Sequence, residues 1–193
     1  MKKYFILYLL FLSFIISCGG EYYSRPQGYN RIILPEKNYM PLPDTFPYFF
    51  ELSSHATVLP DSTSMAERYW LCIYYKIFDA TIHVTYKKID HDKKKFWDLT
   101  EDCRKLKNKH QVKAFSIMEK IYTNPANISS DIFELEGEIP SPIQFYASDT
   151  VNHFFRAALY FNIATKNDSL APVIGFIKSD IYKMIETLRW KEF

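Results

Sequence analysis

The chain has 193 residues, 48% of them apolar and 18% aromatic, which suits one folded domain with a proper core and excludes an intrinsically disordered protein. Its formal charge of +2 rests on Lys2 and Lys3; beyond residue 17, basic and acidic side chains number 22 each, so there is no global electrostatic case for binding nucleic acid. Glycine is too scarce, at five residues, to build a phosphate-cradling loop.

Lys2 and Lys3 lead into an apolar run, Tyr4 to Ile16, that is short for a membrane span. The run ends in Ile15-Ile16-Ser17-Cys18, the shape of a bacterial lipobox: apolar residues, a small residue, then the cysteine that takes a diacylglycerol thioether. The alternatives are an ordinary secretory signal with an incidental cysteine, or an uncleaved anchor. The lipobox reading divides the chain into a signal peptide over residues 1–17, a lipid anchor and tether over 18–47, and a single domain over 48–193. Pro26, Pro35, Pro41, Pro43 and Pro47 keep the tether extended. Its many aromatic and aliphatic residues are too apolar for a flexible linker, so its later half, from about Tyr29, is expected to lie on the domain.

Tyr48–Leu52 and Ala56–Leu59 read as a hairpin around Ser53-Ser54. Arg68–Tyr75 is apolar on both faces, as a central strand is, and the short link Lys76–Asp79 joins it to the alternating strand Ala80–Lys87. Phe96, Leu99, Cys103, Leu106, His110, Ala114, Ile117 and Ile121 then follow helical steps, with Asp90 or Asp92 as cap and Asn124-Pro125 as terminator. The polar patch Lys107-Asn108-Lys109 marks a kink or a split. Ile132–Leu135 is a further strand, and Ile143–Ser148 with Asn152–Phe161 forms a second hairpin. In the last helix Ser169 is the expected N-cap, Pro172 sits in the first turn, and Leu170 to Leu188 supplies an apolar stripe. The order predicts an α+β fold: an antiparallel sheet of hairpins with helices on its faces, similar in order to PsbP-like and Mog1-like sandwiches.

Chemistry-bearing residues are sparse. His55, His83, His91, His110 and His153 show no metal-ligand spacing, so neither metal nor cofactor is expected. Cys72 and Cys103 admit a disulfide or two separately buried thiols. Ser148-Asp149 with His153 lacks a nucleophile elbow and reads as a turn. Glu134 and Glu136 alternate with Phe133 and Leu135, like the wet side of an edge strand. Lys87–Lys113 holds ten basic and five acidic residues, the pattern of a solvated helix face and its leading loop, or of a surface for lipid phosphates or an acidic partner. Arg68 and Arg156, inside apolar stretches, are either structural ion pairs, with Glu67 or Asp79 as partners, or interface anchors. Arg25, Tyr29 and Arg31 in the arm combine the groups typical of interface anchors.

Several stretches together resemble the gliding motility-associated lipoprotein GldD family of the Bacteroidota. They are Arg25-Pro26-Gln27-Gly28-Tyr29-Asn30-Arg31-Ile32, Leu42-Pro43-Asp44, Pro47-Tyr48, Glu67-Arg68-Tyr69-Trp70, Pro142-Ile143-Gln144-Phe145-Tyr146-Ala147, His153 to Phe161, Lys166 to Val173, and Trp190-Lys191. The resemblance implies a lipid-anchored component of the gliding machinery, also needed for type IX protein secretion, with Cys18 as the lipidated residue and no catalytic residue to carry over. A non-enzymatic assembly or scaffold protein is the resulting expectation, held in a membrane, facing the periplasm and bound to other gliding or secretion proteins. An envelope enzyme acting on peptidoglycan and a hydrophobic-ligand module are the alternatives.

Overall fold

The computed structural model of the protein describes residues 32–111, 113–162 and 167–191. Cys18, Arg25, Tyr29 and Arg31 lie outside the described residues. In chain order the elements are β1 (Tyr39–Pro41), β2 (Tyr48–Phe49), β3 (Glu51–Ser53), β4 (Thr57–Pro60), β5 (Leu71–Tyr75), β6 (Ala80–Lys88), α1 (Lys93–Gln111), β7 (Ala114–Thr123), β8 (Ser129–Gly137), β9 (Ile143–Ser148), β10 (His153–Phe161), α2 (Asn167–Thr187) and β11 (Arg189–Trp190). Seven strands form one antiparallel sheet in the order β4-β5-β6-β10-β9-β8-β7, with two small ribbons, β1-β3 and β11-β2, beside it. This is the α+β fold expected from the order of hairpins and helices.

The period of two sets the register. In β6, Ala80, Ile82, Val84 and Tyr86 are buried on one face, while Thr81, His83, Thr85 and Lys87 point to the other and are half-buried. Pairing carries the same division across the sheet: Leu71 and Ile73 of β5, Phe155, Ala157 and Leu159 of β10, and Phe145 of β9 share the first face. That face meets α2 through Val173, Phe176, Ile177, Ile181, Met184 and Ile185, all buried in one cluster with Leu42, Tyr48, Phe50 and Leu52. On the second face α1 packs Cys103, Phe96 and Leu99 on Phe133, Tyr146 and Phe154. Two helices on opposite faces therefore enclose two separate apolar clusters.

The β9–β10 turn forms as its sequence dictates. Asp149 Oδ1 accepts the N–H groups of Val151, Asn152 and His153, Ser148 Oγ accepts from Thr150 N, and Thr150 takes φ 62°. Residues 32–47 lie against the domain: Ile32, Met40 and Phe46 pack on the main cluster, Leu42 is buried within it, and β1 pairs with β3. Lys37 Nζ reaches Asp180 Oδ1 of α2 at 2.5 Å, and Asp180 also accepts from the hydroxyls of Tyr39 (3.2 Å) and Tyr75 (3.1 Å). Burial first, then Asp180, pushes the Tyr39 hydroxyl up to about 12.

Three expectations are corrected. Tyr48–Leu52 and Ala56–Leu59 do not form a hairpin, because β3 takes β1 as partner while β4 joins the large sheet beside β5. The long helix stops at Gln111, and Ala114–Thr123 is instead a strand on β8. Phe115, Ile117, Ile121, Tyr122 and Thr123 favour a pleated edge, and their three-and-four spacing is matched by chance. Asp92 caps the shortened helix, accepting from Lys95 N at 3.0 Å. Ser169 is not the N-cap of the last helix, which begins at Asn167 and so carries Pro172 inside it. Within that helix, Asp180 is buried, its side chain 2% exposed.

Candidate functional site: a basic, aromatic cleft

A concavity of about 630 Å³ opens where the 61–70 loop, β6, the start of β10 and the end of β11 converge. Its floor is built outward from Tyr48. That ring is fully buried, with Phe46, Phe50, Tyr86 and Phe155 around it at centroid distances of 5.1 to 5.9 Å. The Tyr48 hydroxyl donates to Tyr69 O at 2.6 Å, and Trp70 Nε1 donates to Tyr86 O at 3.0 Å. These two bonds hold Tyr69 at φ 73°, a left-handed conformation that costs a non-glycine residue on the order of 1 kcal/mol. The strain turns the Arg68-Tyr69 pair to the cleft wall, with the Arg68 guanidinium 4.8 Å from the Tyr69 ring.

The opposite wall comes from the chain's last described residues. β11 pairs with β2, which seats Trp190 against the His153 ring at 4.8 Å and nearly parallel to it. Lys191 N then donates to Pro47 O at 3.0 Å, and Lys191 Nζ reaches Asp44 at 2.6 Å. His153 Nδ1 shares a 2.7 Å hydrogen bond with the Tyr86 hydroxyl. Burial pushes the His153 imidazole below 6.5 and the Tyr86 hydroxyl up to about 12, so both are neutral near pH 7. Around them stand five basic side chains, Arg68, Lys87, Lys88, Lys95 and Lys191; Glu67, the one lining acid, pairs with Lys87, while Lys88 pairs with Asp90 and Lys191 with Asp44 outside the lining. Such a site attracts an acidic group and offers aromatic faces beside it.

The other residues singled out from sequence fall elsewhere. Arg68 is exposed and precedes β5, so it is not a buried strand arginine. Arg156 lies on the α1 side of β10, donating to Gln144 Oε1 at 3.1 Å. Arg68 and Arg156 thus belong to different parts of the molecule. Ser148 Oγ donates to His153 O at 2.7 Å, a turn role. Glu134 is not on a wet edge: it bonds Lys120, Lys178 and the Tyr182 hydroxyl. Burial pushes its carboxyl up, but those donors outweigh it and hold the group below its usual range. Cys72 and Cys103 are both free thiols.

A family model described as gliding motility lipoprotein GldD matches residues 19–190. The chain belongs to this family. In this GldD-family chain, four of the stretches that carried the sequence resemblance meet at the cleft: Pro47-Tyr48, Glu67 to Trp70, the His153 end of β10, and Trp190-Lys191. Membership makes the protein a membrane-associated envelope lipoprotein of gliding motility. None of the curated proteins searched matches the chain. Among solved structures, the solution structure of cyanobacterial PsbP (CyanoP) from Synechocystis is similar at 8% identity, covering 83% of this chain and 97% of that one with a TM-score of 0.45.

Sequence spacing missed one constellation of this GldD-family protein. Asp61, Cys72 and His83, distant in sequence, bring an oxygen, a sulfur and a nitrogen within 4.8 Å of one another. His83 and His153, by contrast, lie on neighbouring strands but on opposite faces, and do not meet.

Proposed function

We propose that this chain is an assembly protein of the gliding machinery, anchored by a lipid on Cys18, facing the periplasm, and required for the associated type IX secretion. It works by holding partners: the cleft captures an acidic segment of another machinery protein. The observation that carries this reading is the cleft lining, five basic side chains and two tyrosines against one acid. Arginine and tyrosine are the residues that most often anchor protein interfaces, and a cationic rim steers an acidic partner and fixes its register. The rigid support under Arg68 and Tyr69 lowers the ordering cost of capture. Ser148 and Glu134, the side chains an enzyme reading would use, are committed to a turn and to an ion network, which counts against catalysis. Arg25, Tyr29 and Arg31 supply a second contact next to the lipid.

The test is crosslinking in native envelopes alongside gliding and secretion assays. Arg68→Glu with Lys88→Glu is expected to lose the partner crosslink and both activities while melting within a few degrees of wild type, because both side chains are exposed. Tyr29→Ala with Arg31→Ala is expected to weaken the same crosslink. A reversed-charge cleft in a stable, lipidated and fully active protein would remove the cleft from the mechanism.

A further inference from the structure

On the second face of the large sheet, the main contacts of α1 among the described residues are with β7, β9 and β10. On the same face sit Cys72 and His83. They are cross-strand partners in the β5–β6 hairpin, with Sγ and Nδ1 3.4 Å apart. Asp61, just past the end of β4 on the next strand over, completes the group. All three are half-buried.

We propose that Asp61, Cys72 and His83 form a zinc-class divalent metal site. The distances fit. With Zn–S near 2.3 Å and Zn–N near 2.05 Å, tetrahedral geometry places sulfur and nitrogen about 3.6 Å apart, and here they already stand at 3.4 Å. The donor set fits as well. Thiolate, imidazole and carboxylate together suit zinc better than the hard cations, which take oxygen alone. One thiolate and one carboxylate also neutralise a divalent charge, which a half-buried position requires. Asp61 Oδ1 accepts from Thr63 N at 2.9 Å, which orients the carboxylate. Three protein ligands leave the fourth position to water or to a group from a partner.

The alternative for the same pair is a Cys–His nucleophile, which needs a thiolate at neutral pH. The surroundings favour the opposite, since the Asp61 carboxylate stands within 4.8 Å of the pair and repels a thiolate that no cation balances. The cation displaces the thiol proton, forming the metal–sulfur bond and releasing one proton to solvent, with no redox change.

The experiment titrates cobalt(II), then zinc, into the purified full-length chain under reducing conditions. One equivalent of cobalt per chain is expected to give a thiolate-to-metal charge-transfer band with tetrahedral ligand-field bands, bleached by zinc, with about one proton released per ion. Cys72→Ser is expected to abolish the charge-transfer band, His83→Gln and Asp61→Asn to weaken binding by tenfold or more, and Cys103→Ser to change nothing. Melting curves of each variant separate ligand loss from unfolding. The wild-type titration decides the matter even if a variant fails to fold: no charge-transfer band there overturns the site. A band that survives Cys72→Ser overturns it equally, because the metal then sits elsewhere.

Discussion

The Lys37–Asp180 contact is the point at which residues 32–41 are fastened to α2, and its strength can be worked from its surroundings. Asp180 is 2% exposed and Lys37 32%. Lys37 Nζ also donates to Phe176 O at 2.5 Å and lies 3.4 Å from the Phe176 ring centroid. Lys37→Met would leave a buried carboxylate with only the Tyr39 and Tyr75 hydroxyls as donors, at a cost of about 3–5 kcal/mol. Asp180→Asn would lose one charge-assisted bond while Lys37 turned to water, costing about 2 kcal/mol. The double variant has no stranded charge, so it should fall within about 1 kcal/mol of Asp180→Asn alone, giving a coupling of about 2 kcal/mol or more. Urea unfolding followed by tryptophan fluorescence, on all four members of the cycle, measures this. Two single costs that add to within about 0.5 kcal/mol would refute the reasoning, because they would mean that the carboxylate does not depend on the lysine.

Ile177→Asp puts an unpaired charge at a fully buried position under the sheet and should cost roughly 3–5 kcal/mol; a neutral effect in thermal melts would mean that the α2 stripe does not face the core. Asn124→Ala removes the amide that donates to Ile185 O (3.0 Å) and Leu188 O (2.7 Å) at the end of α2, and the oxygen that accepts from Ala126 N and Ile128 N. A loss of about 2–4 kcal/mol is expected by urea denaturation. His83 and His153 are both held below 6.5, chiefly by burial, so each binds a proton more readily when unfolded. Their contribution to stability is complete above pH 6.5 and is lost as pH falls through their lower folded values. With chelator present, melting temperature should drop over that window, and His153→Gln should flatten the drop without abolishing it. Glu134 adds a second, more acidic limb, since its folded carboxyl lies below 4.5 and its ion network is lost only when it protonates; Glu134→Gln should remove that limb from the pH–melting profile.

Much of the fold was legible because period and punctuation agreed. β9 matches its expected bounds, and β6 and β10 differ from theirs by a residue at one end, since alternation and Asp149-Thr150 point the same way. The Ala114–Thr123 strand was hidden because its apolar residues satisfy two periods at once, and the choice was made by an open sheet edge that no local rule can see. The β3–β4 misreading has the same origin, as both strands found partners other than each other. The cleft was visible only as disconnected motifs, since its walls come from residues far apart in sequence. The metal constellation was within reach. With Lys76–Asp79 as the link, Tyr75 faces Ala80, and counting back along both strands sets Cys72 opposite His83. Histidine spacing along the chain carries no trace of the site, because the relevant neighbour of His83 lies across the hairpin.

The outer strand β7 has a further consequence for a membrane-associated protein. Among the described residues it is the last strand of the large sheet, and it displays Phe115 at 87% and Ile121 at 74% exposure. A domain held at a membrane meets its neighbours in two dimensions, where a modest surface density brings copies together far more often than the same number in bulk. A long apolar edge under those conditions invites strand-to-strand stacking of like molecules. The register shift between Ala114 and Ser116 breaks the flatness of that edge, and Glu119 and Lys120 set charges of both signs along it. These features let the protein be crowded on a bilayer without zipping into ribbons, and they fix the side on which crowding is most dangerous.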